Sequence, residues 1–238
     1  MVYHSKQSYY DLLQAAGLSC HRTQAANPKR DEAQVWRKRE EIKKKLAARQ
    51  ADIVSGEVIV FVEDECHLSG GDAIGYGWGR QHERTEVSVA NAKQRQTYYG
   101  VMNLYNQEFI LSLYERGNGA STVSFIEYLQ GLHPDKKLII IWDGARYHSS
   151  EEVQAYLNKV NHGLDEKDWK VTCWLFAPNA PDQNPVEDVW LQGKNFLRRH
   201  FYENKIFQQV KQSFFNFLNK KIFNFEKCNW YLEIPQPV

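Results

Sequence analysis

The sequence predicts an α/β domain in which helices cover a mixed sheet, and three observations carry that prediction. "EVIVFVEDE" holds a continuous apolar run, Val58 to Val62, suited to a strand buried on both faces, and "KKLIIIWDGARYH" holds a second. Glycine-punctuated β segments follow the first run at the short spacing of an antiparallel meander. Beyond them the order becomes helix, strand, helix, strand, helix.

Residues 5 to 16, SKQSYYDLLQAA, predict a short helix capped by Ser5 and closed by Gly17, and a polar linker, HRTQAANPKRDEAQ, comes next. Residues 32 to 51 form a highly charged helix with a thin apolar stripe of Val35, Trp36, Ile42 and Leu46. The first buried strand stops at Glu63, Asp64 and Glu65. The meander comprises residues 75 to 80, 95 to 104 and 108 to 115. Residues 121 to 132 read as a helix capped by Ser121 or Thr122. The second buried strand ends at Asp143, and a helix capped by Ser149 or Ser150 carries glutamates in its first turn, where the dipole favours them. Residues 170 to 178 are one more strand, a helix runs from Pro185 to Phe201, and the aromatic, amphipathic tail from 201 to 234 is expected to pack back on the body.

Four cysteines lie far apart without a CxxC pair, which argues against a disulfide framework or a zinc site and for a reducing compartment. With no apolar signal core and no long apolar run, the chain reads as cytosolic, not secreted or membrane-spanning. The net charge of +1 conceals segregation: residues 1 to 50 carry +6, residues 51 to 190 carry −10, and residues 191 to 238 carry +5. Such a pattern suits a centre that holds cations between flanks that hold a polyanion; solvated surface charge accounts for it equally well.

Two of the most apolar strands end in aspartates, Asp64 and Asp143. If those strands run parallel side by side, both carboxylates emerge at the edge where open α/β sheets bind ligands. A third carboxylate comes from "NAPDQNPVEDVW", and three such groups suit two hard divalent cations. Each acid also has a plainer explanation. Asp64 and Asp143 can be solvated turn residues, and Asp182 a turn former. Glu187 falls where a capping box would use it, with Asn184 as N-cap and Pro185 first in the helix. Asp188 points about 100° away around the helix, whereas Lys194 and Arg198 return to within about 20° of Glu187. A shared stripe of one carboxylate and two cations is what a phosphodiester site wants and a cap does not need.

"FVEDECHL", "IIWDGARYH" and "APNAPDQNPVEDVW" together resemble the DDE transposases of the mariner superfamily, in particular the bacterial insertion-sequence (insertion sequence 630-like) branch. The resemblance covers roughly residues 57 to 200, and its last motif is the most specific. It implies an RNase H-like fold with Asp64, Asp143 and Glu187 as catalytic and metal-binding triad, two Mg²⁺ ions for which Mn²⁺ substitutes, and metal-dependent cleavage and strand transfer of DNA. Transposon ends and target duplex are the implied partners, with a homodimer as the active complex in a bacterial, nucleoid-associated setting. His148 matches the family's turn histidine. It joins Arg146, Lys194 and Arg198 as a candidate DNA contact, although a local hydrogen bond serves His148 equally and a surface position serves Arg146. Glu63 and Glu65 compete with Asp64 on position alone. The domain organisation expected is a helical remnant of a helix-turn-helix region plus linker (1–55), a catalytic domain (56–201) and a C-terminal tail (202–238). The chain then begins where a DNA-binding region should be ending, as if an upstream reading frame supplied the rest. The 44-position step from Asp143 to Glu187 is longer than most of the superfamily uses. Two rivals are a nuclease of the same fold that only hydrolyses and a non-catalytic DNA-binding remnant of a transposase.

Overall fold

A computed structural model describes residues 5–20, 27–75, 80–83, 86 and 93–232. The chain forms two compact units, Met1–Arg30 and Asp31–Val238. In the first, α1 (Lys6–Ala15) starts where the Ser5 hydroxyl accepts from the Gln7 amide at 3.2 Å, and it ends before Gly17, whose φ of +76° is the left-handed conformation that closes helices.

The larger unit contains a six-stranded sheet in the order β5-β4-β1-β2-β3-β6. The strands are β1 (Val58–Ser69), β2 (Arg95–Asn103), β3 (Glu108–Tyr114), β4 (Lys137–Trp142), β5 (Val171–Leu175) and the short β6 (Lys221–Ile222). Strands β1, β4 and β5 are mutually parallel, and β1-β2-β3-β6 is antiparallel throughout. The meander and the two buried strands are therefore present as expected. Most of "GYGWGR" lies outside the described residues.

One boundary differs with consequence. β1 does not stop at the acids: it pairs with β4 only from Val58 to Val62, then continues beside β2 to Ser69, with Asp64 opposite Gly100. Cys66 and Leu68 resume the burial beyond the acids, and β2 supplies the ladder that the apolar run alone does not signal.

Helices cover both faces. On one face α2 (Glu32–Ala47), α3 (Gln50–Val54), α6 (Val186–Arg199) and α7 (Phe207–Leu218) bury Ile42, Ile53, Trp190 and Phe214 against Val60 and Val62. On the other, α4 (Gly119–Leu132) and α5 (Glu151–Val160) bury Phe125 and Val153 against Phe61 and Ile140. Alternate residues of β1 thus serve two separate cores. Gly193 admits α7 against α6, since a Cβ there would lie 2.6 Å from the Phe214 ring.

Other departures are local. The single helix expected over 32–51 breaks at Arg49, and Trp36 of its stripe is 63 % exposed, whereas Val35, Ile42 and Leu46 are buried. These residues belong to the larger unit, which begins at Asp31. α4 starts earlier than read, because Asn118 rather than Ser121 or Thr122 caps it, accepting from the Ser121 amide at 2.8 Å. Ser150 caps α5. All four cysteines are free. Among the described residues no helix is long and apolar enough to cross a membrane.

Candidate active site

The parallel register sets two of the three acids. Val62 pairs with Ile141, and two residues further along each strand lie Asp64 and Asp143, at the C-terminal edge of the parallel strands. Glu187 comes from the first turn of α6, whose entry is bonded directly to β1. The Asn184 amide donates to the Glu63 carbonyl at 2.9 Å, and its Oδ1 accepts from the Val186 amide at 2.9 Å. A capping box at Glu187 is not what forms, since the Asn184 N–H is already given to the Pro181 carbonyl at 2.9 Å. One cavity of about 360 Å³ is lined by Asp64, Asp143 and Glu187 together, with Asn184 and the 176–181 loop as its wall. That loop is held from behind by buried Gln183, which donates to the Ala180 carbonyl at 3.1 Å, and by Val35 of α2 packing on Ala177 and Ala180.

Each carboxylate has its own setting. Burial pushes Asp64 up to about 8, with Glu187 and Glu65 adding to the effect. It accepts one hydrogen bond from the Trp190 indole N–H, at 3.1 Å. That indole reaches across β2 because Gly100 has no side chain: a Cβ there would stand 2.6 Å from the Trp190 ring. Enclosure also raises Glu187; Lys227 opposes the shift, and Asp188, Asp182 and Asp143 reinforce it. Asp143 lies below the usual carboxylate range, chiefly through the His148 hydrogen bond and also through the Ala145 amide, which donates to Oδ1 at 2.8 Å. Mutually repelling carboxylates around a shared cavity are a donor set of hard oxygens, and a divalent cation would offset the burial and repulsion that lift Asp64 and Glu187.

Asp188, the neighbouring acid, is turned to Lys227, with Nζ 2.7 Å from Oδ2. Glu63 and Glu65 point to the opposite face of β1 from Asp64 and meet His148. Lys194 lines a second cavity with Asp64 and Glu187, its Nζ 3.4 Å from Asp72. Arg198 lines neither of these cavities and donates to Asn195 at 3.0 Å, so the stripe read on α6 divides into a near and a far cation. Arg146 is exposed. The His148 side chain is 2 % exposed, and its Nδ1 makes the local hydrogen bond, to the Asp143 carbonyl at 3.2 Å. Sequence reasoning missed Gln183 and the reach of Trp190. A buried glutamine carries no pattern, and the tryptophan reads simply as part of an apolar arc.

Comparison with known proteins agrees with this architecture. The family profile described as DDE superfamily endonuclease matches residues 59–209. The structure is similar to that of the Mos1 strand transfer complex, with a TM-score of 0.50 and 13 % identity over 97 % of this chain and 63 % of that one. It is similar to the catalytic domain of Mos1 mariner transposase with a TM-score of 0.50 and 12 % identity, over 87 % of this chain and 89 % of that one. The chain thus spans a little under two thirds of the longer Mos1 chain. No curated protein sequence matches it. The mixed six-stranded sheet flanked by helices is the RNase H-like fold. The chain belongs to the DDE superfamily endonucleases.

Proposed function

We propose that the chain is the catalytic part of an insertion-sequence transposase of the mariner superfamily, which cleaves DNA at the element's ends and joins the freed 3′-hydroxyl to a target duplex. The observation that carries this reading is the convergence of Asp64, Asp143 and Glu187 on one cavity. These residues would hold two Mg²⁺ ions, for which Mn²⁺ substitutes. When bound, the ions supply the charge that stabilises the attacking and leaving oxygens of an in-line phosphoryl displacement. The chain's own work is to orient that charge. Trp190 fixes one oxygen of Asp64, the Asn184 bridge fixes α6 to β1, and Lys194 beside the cavity supplies a phosphate contact. Asp64 and Asp143 stem from β1 and β4, whose mutual hydrogen bonds limit their relative movement.

Similarity to the Mos1 strand transfer complex and the Mos1 mariner paired end complex supports a strand-transfer role, and we take duplex DNA as the substrate and a homodimer as the active assembly. A cleavage assay with labelled element ends and a plasmid target, with Mg²⁺ or Mn²⁺, tests the reading. Asp64→Asn and Asp143→Asn each lower cleavage by on the order of 10³-fold, as loss of transition-state charge stabilisation requires. Nicked ends without joined products would identify a hydrolytic nuclease, and cleavage undiminished in both variants would leave the proposed triad without support.

A further inference from the structure

Behind Asp143, on the far side of the sheet from Asp64, lies a buried group of side chains that the reaction as proposed does not use. The His148 ring lies flat on Trp142, with centroids 4.3 Å apart and planes 7° apart, and Tyr147 meets it edge-on. Its Nε2 is 3.1 Å from Glu65 Oε1 and 3.4 Å from Glu63 Oε2, and its Nδ1 is 3.3 Å from Asp143 Oδ1 and 3.2 Å from the Asp143 carbonyl. Side-chain exposure is 2 % for His148, 2 % for Glu63 and 5 % for Glu65, against 60 % for Asp143. Among the described residues neither carboxylate oxygen of Glu63 finds a hydrogen-bond partner, and the imidazole lies beside it.

Asp143 follows the last residue of β4, and little else holds its carboxylate. Among the described residues the Ala145 amide donates to Oδ1, and His148 Nδ1, bonded to the Asp143 carbonyl, stands 3.3 Å from the same oxygen. The Nδ1–H is directed at the carbonyl and Oδ1 of Asp143, while Nε2 faces Glu65 and Glu63, so the ring is held from both nitrogens at once. Stacking on Trp142 removes its remaining rotation. We propose that His148, backed by Glu63 and Glu65, is a positioning residue that orients the Asp143 carboxylate toward the cavity. The inference rests on the functional reading above. It gives the two glutamates flanking Asp64 a task on the opposite face of the strand, in place of competition for its role.

The test is Mn²⁺ binding to the metal-free full chain, followed by the electron paramagnetic resonance of free Mn²⁺, with thermal melting measured alongside. Removing an outer-shell partner weakens metal affinity by about 10–100-fold, and His148→Ala is expected to fall in that range. Two amides separate positioning from packing. In His148→Asn the amide nitrogen takes the place of Nδ1 and can still donate to Asp143; in His148→Gln it takes the place of Nε2 and cannot. Both remove the stacked ring, so both lower the melting temperature, but only Asn should recover most of the Mn²⁺ affinity. Equal weakening in the Asn and Gln variants, or unchanged affinity in a folded His148→Ala chain, overturns the proposal, and the Asn/Gln pair decides the matter if the alanine variant does not fold. Asp143→Asn is the control. If it leaves Mn²⁺ binding intact, the functional reading fails and takes the inference with it. If it abolishes binding while His148→Gln binds as the parent chain does, the positioning inference fails alone.

Discussion

The two faces of β1 treat acids in opposite ways. Toward α6, Asp64 faces a cavity shared with two more carboxylates and accepts from a neutral side chain, the Trp190 indole. Toward α5, two residues of the same type flank it by one position on either side, yet they are sealed from solvent around an imidazole. Against the opposing effect of burial, the bonds to Asp143 and Glu65 and the charge of Glu63 raise His148 to about 10, so this face carries its own counter-charge. On the cavity face the nearby cations Lys194 and Lys227 are paired with other acids, Asp72 and Asp188, and burial with the neighbouring acids drives Asp64 up; burial lifts Glu63 on the sealed face too. Acids whose neutralisation is built into the fold are structural, whereas acids left in mutual repulsion await a charge from outside.

Substitutions that treat the two faces unequally can break this contrast. The largest effect is expected from the acid pair on α6: Glu187→Gln should lower cleavage by on the order of 10³-fold, whereas Asp188→Asn, whose parent carboxylate pairs with Lys227, should leave it within a few-fold. A dead Asp188→Asn with an active Glu187→Gln would reassign the third ligand. Next comes stability. Glu65→Ala removes one side of a buried ion pair and should cost about 3 kcal/mol in denaturant titration, while Asp64→Asn should cost nothing in the metal-free chain.

The same contrast has a pH signature. Because folding raises the Asp64 pKa to about 8, the metal-free folded chain holds a proton there that the unfolded chain has released. Stability contributed by that proton is present at low pH and is lost as pH rises from about 4 to about 8. Asp64→Asn should flatten the decline in chelator-treated protein, and an unchanged slope would mean that other groups, such as buried Glu63, carry it. Gly100→Ala should cost about 1–3 kcal/mol by displacing Trp190, read both in unfolding and in the tryptophan emission. The smallest effect is sought at the rim: Lys194→Ala should reduce the salt slope of DNA binding by about one, and Arg198→Ala, which lies off the cavity, should reduce it less.

Much of this architecture is legible in the chain. Apolar runs ending in Asp64 and Asp143 announce parallel strands and a shared edge, and "NPVED" announces a helix entry beside acids. What is not legible depends on partners distant in sequence. Glu63 and Glu65 compete with Asp64 on position alone, and only their contacts with His148, more than eighty positions later, show how β1 can continue past them. Asn184 reads as a cap, and it does accept from Val186, but its other bond, to the Glu63 carbonyl, has no local trace. The exposure of Trp36 likewise depends on which turns of α2 the sheet happens to cover.

The Asn184 bridge also bears on when the site comes into being. It joins positions 121 apart in the chain, so the third acid reaches the other two only after β1 through β5 have been laid down and α6 has closed over them. Contacts of such long range repay their loop-closure entropy late. A growing or partly opened chain therefore holds Asp64 and Asp143 without Glu187, and the assembly of the three-acid cavity is expected to be the final event of folding rather than an early one. Hydrogen exchange at the Val186 amide, followed during refolding, would reveal the timing; protection there ahead of the β1–β4 ladder would show that the clasp closes first.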